Sequence, residues 1–166
     1  FKEEGNRKFF RLKLGGEVRL KNGYIIKAES CTKDSNGNIT EVQCTYDPLS
    51  KSGSGTEESL RKVKGTLHWV SQKHALTAKV RLYDRLFTDP TPDAHKDKDF
   101  MDFINPNSLE EITAYVEPSL ASAKEGDRFQ FQRMGYFVVD QDSSSDQLVF
   151  NKTTGLRDTW SKLDAS

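Results

Sequence analysis

Three histidines and two cysteines are where catalytic or metal chemistry in this chain would have to start. None of His68, His74 and His95 has a partner at ligand spacing. His68 falls in a β-like stretch beside Trp69, and His95 in a polar connection. Cys31 and Cys44 flank the turn signal DSNGN. A tight Asn36-Gly37 turn would set Cys31 opposite Val42 and Cys44 opposite Glu29. The thiols would then be diagonal neighbours, about 7–8 Å apart at the backbone, too far for an unstrained disulfide. Two reduced thiols are expected, and without CxxC or a Cys/His cluster no structural zinc. No GxSxG elbow marks a hydrolase. GSGTEES lacks the Lys-Ser/Thr of a phosphate-binding loop. Asp84, between the arginines of RLYDRLF, reads as an ion-pair hub. No catalytic or metal constellation emerges.

Binding chemistry is better represented. The net charge of zero conceals segregation. Phe1 to Lys21 holds seven basic and three acidic residues, and Arg61 to Arg85 seven basic and one acidic. Asp89 to Glu111 reverses this, with seven acidic and two basic. Clustered Lys and Arg interleaved with aromatics suit phosphates and unstacked bases, although solvated strand faces give the same pattern. In FQFQRMGYF, Gln130 and Gln132 alternate with Phe129, Phe131 and Arg133. Amide and guanidinium groups are planar, forked donors that match base edges.

The elements that must position these groups are mostly strands. The 166 residues allow one large domain or two small ones, and 34% hydrophobic against 30% charged residues predicts modest cores. No apolar run is long enough for a membrane span, and no signal segment opens the chain. It opens without Met in FKEEGNRKFFRLKL and reads as part of a longer protein. EVRLKNGYIIKAES, NITEVQCTY, KVKGTLHWVS, TAKVRLYDRLF, SLEEITAYVEPSL, DRFQFQRMGYFVVDQD and DQLVFNKT each read as strand. KEEGNRKFF and DKDFMDFI read as helix, and DPLSKSGSGTEES as a polar loop. The predicted class is all-β: two consecutive small β-barrels with few short helices.

KVKGTLHWVS, RLYDRLF, INPNSLEE, FQFQRMGYF and FNKTTGLRDTW, in this order and spacing, resemble the C-terminal anticodon-binding region of glutaminyl-tRNA synthetases. The likeness runs from about residue 6 to residue 163; GTLHWVS with GLRDTW is its most specific part. Eukaryote-type glutamyl-tRNA synthetases share the two-barrel architecture. The resemblance implies a distal-type barrel over 1–78 and a proximal-type barrel over 79–166 lacking its first strand. It implies that Arg11 meets the third anticodon base, a guanine. Arg19 and Lys21 would meet the first nucleotide and its backbone, and Gln130 and Arg133 the middle uracil. Lys21 stands where relatives commonly have Arg; lysine keeps the charge but loses the fork, which suits backbone contact. Lys8 and Phe10 also depart from those relatives.

Leu67, Trp69, Leu82 and Leu86 are expected to pack, with Tyr83, Asp84 and Arg85 in a structural or interdomain network. The implied partners are glutamine tRNA and an N-terminal catalytic domain, with no membrane and no DNA, in the cytoplasm. This region itself would hold no cofactor. ATP with Mg²⁺ would belong to the catalytic domain of a glutamine–tRNA ligase, coupled at a distance to anticodon binding. Alternatives are a eukaryote-type glutamyl-tRNA synthetase, a β-barrel module for another structured RNA, or a protein-interaction domain using Trp69, Tyr83 and Leu86.

Overall fold

The β-rich, alternating segments pair into two sheets in a computed structural model that describes residues 1–6 and 8–156. The chain divides into two units, Phe1–Trp69 and Val70–Ser166. The expected boundary at residues 78 and 79 would cut strand Leu76–Tyr83, which lies whole in the second unit.

In the first unit, β1 (Glu17–Leu20), β2 (Ile25–Lys33), β3 (Ile39–Tyr46) and β4 (Thr66–Leu67) form a sheet ordered β3-β2-β1-β4. The β1–β4 pair is parallel and the others antiparallel. Leu12, Val18 and Ala28 are buried, and Phe1, Ile26, Val42 and Leu67 pack on them. KVKGTLHWVS, predicted as a full strand, contributes only Thr66 and Leu67, because β1 offers partners only at Arg19 and Leu20. The predicted helix over residues 2–10 is not formed among its described residues. Asn6 Oδ1 accepts from Lys8 N, and Asn6 O from Phe9 N, so a local turn replaces helical pairing.

The DSNGN turn is one residue longer than predicted. Gly37 takes φ 82° and donates to Asp34 O at 3.0 Å, while Asp34 N donates to Asn38 O at 2.9 Å. A left-handed glycine after a turn is the usual three-residue hairpin solution. Cys31 pairs with Val42 as predicted, but a register shift at Glu29 sets Cys44 opposite Ala28. Both cysteines are free.

The polar loop after β3 is tightly built. It contains a 3-10 turn at Pro48–Ser50 and a short helix, α1 (Glu57–Leu60), capped by Thr56. Ser50 is fully buried: its Oγ accepts from Ile25 N at 2.8 Å and donates to Asp47 O at 2.6 Å.

The second unit holds β5 (Leu76–Tyr83), β6 (Leu109–Val116), β7 (Arg128–Phe131), β8 (Gly135–Val139) and β9 (Leu148–Thr154), ordered β6-β5-β9-β8-β7. Its core is Ala78, Val80, Val116, Phe137, Val139, Leu148 and Phe150. Phe131 stacks on Phe137 with centroids 4.4 Å apart and meets Phe150 edge-on at 5.1 Å. DRFQFQRMGYFVVDQD, predicted as one strand, is the β7–β8 hairpin. DKDFMDFI holds a 3-10 turn, Phe100–Phe103, in place of a longer helix. Leu82 packs, but Leu86 is 58% exposed and Trp69 46% exposed, so neither is core. The fold is mainly β and barrel-like, although neither sheet closes among the described residues.

Arg81 organises the outer side of the β5–β6–β9 region. Its guanidinium meets Glu111 at 2.9 Å, Asp140 at 3.2 Å and Asp142 at 2.8 Å. Asp140 also accepts from Asn151 Nδ2, and Asn151 Oδ1 accepts from Tyr83 Oη at 2.8 Å. The Tyr83 network is therefore structural, while Asp84 and Arg85 project outward beside each other. Hydrogen bonding from Arg81, then Lys79, holds the Glu111 carboxyl below its usual range. The backbone N–H of Asp142, then Asn151, does the same for Asp140, with Arg81 assisting.

A carboxyl depressed on folding stabilises above its unfolded pKa, about 4, and this contribution is lost as pH falls through its lower folded value. Arg81→Ala should therefore lower the urea midpoint at pH 7, and the deficit should shrink as pH drops below about 4. A deficit that is the same at pH 7 and pH 3 would show that the carboxylates do not mediate it.

Candidate nucleic-acid surfaces

The first unit carries thirteen Lys and Arg against nine Asp and Glu, and the second twelve against sixteen. In the first, Arg11 is exposed and precedes buried Leu12. Its segment is held by Lys2 N donating to Leu12 O at 3.2 Å. Gly65 lets this segment pass: a Cβ there would collide with the Phe10 carbonyl oxygen and lie 2.9 Å from Val18 Cγ1. Gly65 O in turn accepts from Arg19 N at 2.8 Å. The Arg11 segment thus borders the β1–β4 pair, which carries Arg19 and is followed by Lys21.

Lys21 is exposed, with its backbone fixed on both sides. Its N–H donates to Leu67 O at 2.7 Å, and its carbonyl accepts from Trp69 Nε1 at 3.0 Å. The indole is thereby anchored against the β1–β2 turn while remaining 46% exposed. Trp69, read from sequence as a packing residue, is instead a fixed aromatic surface beside Lys21. Strand alternation could not reveal this, because the bond joins residues distant in sequence. Arg11 and Lys21 keep their charged heads off protein partners among the described residues. Arg19 does not: its guanidinium is bonded to four acceptors of the Asp47–Arg61 loop.

In the second unit, Gln130 pairs with Tyr136, and both are exposed. Phe129 and Phe131 point to the core, so Gln130 points outward. The β7–β8 turn is closed by Met134 N donating to Phe131 O at 2.9 Å. Arg133 sits in this turn at φ 66°. Turns of this kind favour Gly or Asn at a positive-φ site, and Arg there costs about 1 kcal/mol or more. Gln130 and Arg133 therefore share one hairpin, with the strand residue and the turn residue on an aromatic base. The implied GLRDTW motif extends into residues 157–160, which lie outside the described residues.

The described residues contain no group of three or more His, Cys, Asp and Glu that could hold a metal ion. No described helix is long and apolar enough to cross a membrane.

The chain is similar to known proteins along most of its length. Residues 2–47 and residues 66–140 each match a family described as tRNA synthetases class I (E and Q), anti-codon binding domain. The chain is 57% identical to a glutamine–tRNA ligase of Rhodopirellula baltica, over 99% of this chain and 27% of that protein. It is 54% identical to one of Vibrio parahaemolyticus, over 99% of the chain and 29% of that protein. The chain thus spans less than a third of the length of these curated relatives.

Gly65→Ala should destabilise the protein by about 1–3 kcal/mol in urea unfolding, as overpacking does. An unchanged midpoint would show that the Phe10–Arg11 segment yields freely. Arg133→Val should be less stable than Arg133→Gly by about 1–2 kcal/mol, because a β-branched residue resists positive φ. Equal midpoints for the two variants would place Arg133 outside that backbone region in solution.

Proposed function

The chain belongs to the anticodon-binding region of the class I tRNA synthetases for glutamate and glutamine, and from that premise we propose that it reads the anticodon of a glutamine tRNA. The observation that carries this reading is the β7–β8 hairpin. It offers Gln130 outward from a strand and holds Arg133 in an unfavourable backbone conformation at the adjoining turn. A turn selected for geometry alone would carry Gly or Asn. An arginine there favours a role for its side chain, and strain of this kind concentrates at binding sites.

Gln130 and Arg133 would supply forked hydrogen bonds to an unstacked uracil. Arg11 would face the third base, and Lys21 the backbone of the first nucleotide. Trp69, fixed beside Lys21, adds an aromatic surface of the kind that unstacked bases use. The surplus of basic residues in the first unit supports phosphate contact.

The whole protein would join glutamine to its tRNA with ATP, on a catalytic domain outside this chain, in the cytoplasm. ATP and Mg²⁺ supply the activation chemistry there. In this reading the residues of this chain bind the tRNA and select it. The relatives named above are glutamine–tRNA ligases, which favours glutamine over glutamate.

The test is binding to glutamine tRNA and to the same tRNA with its middle anticodon base changed, across a salt series. The expected result is a steep loss of affinity with salt and a penalty of about 1–3 kcal/mol for the changed base. Arg133→Gly should erase most of that penalty. Salt-sensitive binding indifferent to the anticodon would instead favour a module for structured RNA in general.

A further inference from the structure

Arg19 lies on β1 next to Val18, which is 2% exposed, and points to the opposite side of the strand. Nη1 donates to Ser50 O at 2.6 Å and to Ser52 Oγ at 3.4 Å. Nη2 donates to Ser59 O at 3.0 Å and to Arg61 O at 3.1 Å. All four terminal N–H groups of the guanidinium are thus directed at protein acceptors. Arginine reads a base or a phosphate through paired N–H groups. Arg19 could present such a pair only by releasing the loop.

Other polar bonds tie the first half of the loop to the sheet: Asp47 N donates to Ile25 O and Ser52 N to Gly23 O, each at 3.0 Å, and Ile25 N donates to Ser50 Oγ at 2.8 Å. Between Asp47 and Arg61 only Ser50 is buried, so no apolar core fixes the segment. Ser52 Oγ donates to Gly23 O of the β1–β2 turn at 3.0 Å, Ser59 Oγ donates to Thr56 O within the loop at 2.7 Å, and Thr56 Oγ1 donates to Leu49 O across its two halves. Arg19 grips both halves, Ser50 and Ser52 on one side and Ser59 and Arg61 on the other. Next to this grip, Arg61 pairs with Glu17 at 2.5 Å and Asp47 at 3.6 Å. The closed loop carries exposed Lys51 and leads into exposed Lys62 and Lys64, and Lys21 directly follows β1.

We infer that Arg19 is a positioning residue for RNA: it clamps the Asp47–Arg61 loop against β1, so that the surrounding lysines meet the RNA backbone in fixed places, and it does not itself touch a base. The inference rests on the RNA-binding reading above. It separates the roles of two residues only two positions apart, with Lys21 touching the ligand and Arg19 holding what surrounds it.

The experiment uses the full-length protein with Arg19→Ala, Arg19→Lys and Lys21→Ala. Two quantities are read: tryptic cleavage after Lys51 without RNA, and tRNA affinity against salt for glutamine tRNA and a variant with its first anticodon base changed. Both Arg19 variants should speed cleavage about tenfold or more, the scale of one lost charged hydrogen bond. Lysine cannot rescue, because one ammonium cannot span four acceptors on two loop halves. Both should weaken binding while leaving the salt slope and the first-base ratio unchanged. Lys21→Ala should leave cleavage at the wild-type rate and the first-base ratio unchanged, while weakening binding with a salt slope flatter by about 0.7–0.9.

Wild-type cleavage in both Arg19 variants, or a flattened slope or lost first-base discrimination in either, would overturn the clamp and make Arg19 a direct contact. If the alanine variant does not fold, the lysine variant decides on the same readouts. Absence of salt-sensitive tRNA binding by the wild type would instead overturn the RNA reading, and this inference with it.

Discussion

Phe131 lies flat on Phe137 and edge-on to Phe150, a residue with no solvent exposure. Side chains alternate along a strand, so burying Phe129 and Phe131 leaves Gln130 no choice but the outer face. The pairing of Gln130 with Tyr136 sets what stands beside it, and the return of the chain within three residues brings Arg133 into the turn. The β8–β9 ladder supports the hairpin, with Val139 opposite Phe150. An unfavourable φ at Arg133 persists because these contacts over-determine the backbone around it. Burial of aromatic area thus bears the cost of presenting two polar side chains in set directions.

The first unit solves its problem differently. Its apolar core is small, and of the segment from Asp47 to Arg61 only Ser50 is buried. Backbone carbonyls that turn inward still need donors. A serine hydroxyl and an arginine guanidinium supply them. No buried side-chain polar atom among the described residues is left without a partner. A guanidinium suits this task because its donors fan out in a plane and it keeps its charge at any working pH.

These two arrangements bear on the proposed function. In the first unit, cations that hold structure and cations that face solvent lie within a few residues of each other. Arg19 and Arg61 are tied to carbonyls and carboxylates, while Arg11 and Lys21 are not. In the second unit, Arg81 is absorbed by acids. Counting Lys and Arg therefore overstates the charge available to a polyanion. What matters is which of them the fold has already neutralised.

Much was legible in the sequence because it depends on short-range pattern. Period-two alternation gave β5, β-favouring residue types between turn signals gave β2, β3, β6 and β9, and the quoted motifs supported the family later matched by comparison. Alternation also set Gln130 apart from Phe129 and Phe131, while the structure supplied which of them face the core. The failures share one cause, which is that a partner distant in sequence decided the outcome. β4 stops after Leu67 because β1 runs out of pairing residues. The described residues between 2 and 10 are not helical because Asn6 offers a local acceptor and Lys2 pairs with Leu12. Trp69 is exposed because Lys21 anchors its indole. Arg19 is committed to carbonyls 31 to 42 residues away. Residue types and spacing determined which groups could bind RNA. Only the tertiary structure decided which of them are free to do so, because a guanidinium has a fixed number of donors and the fold uses some of them first.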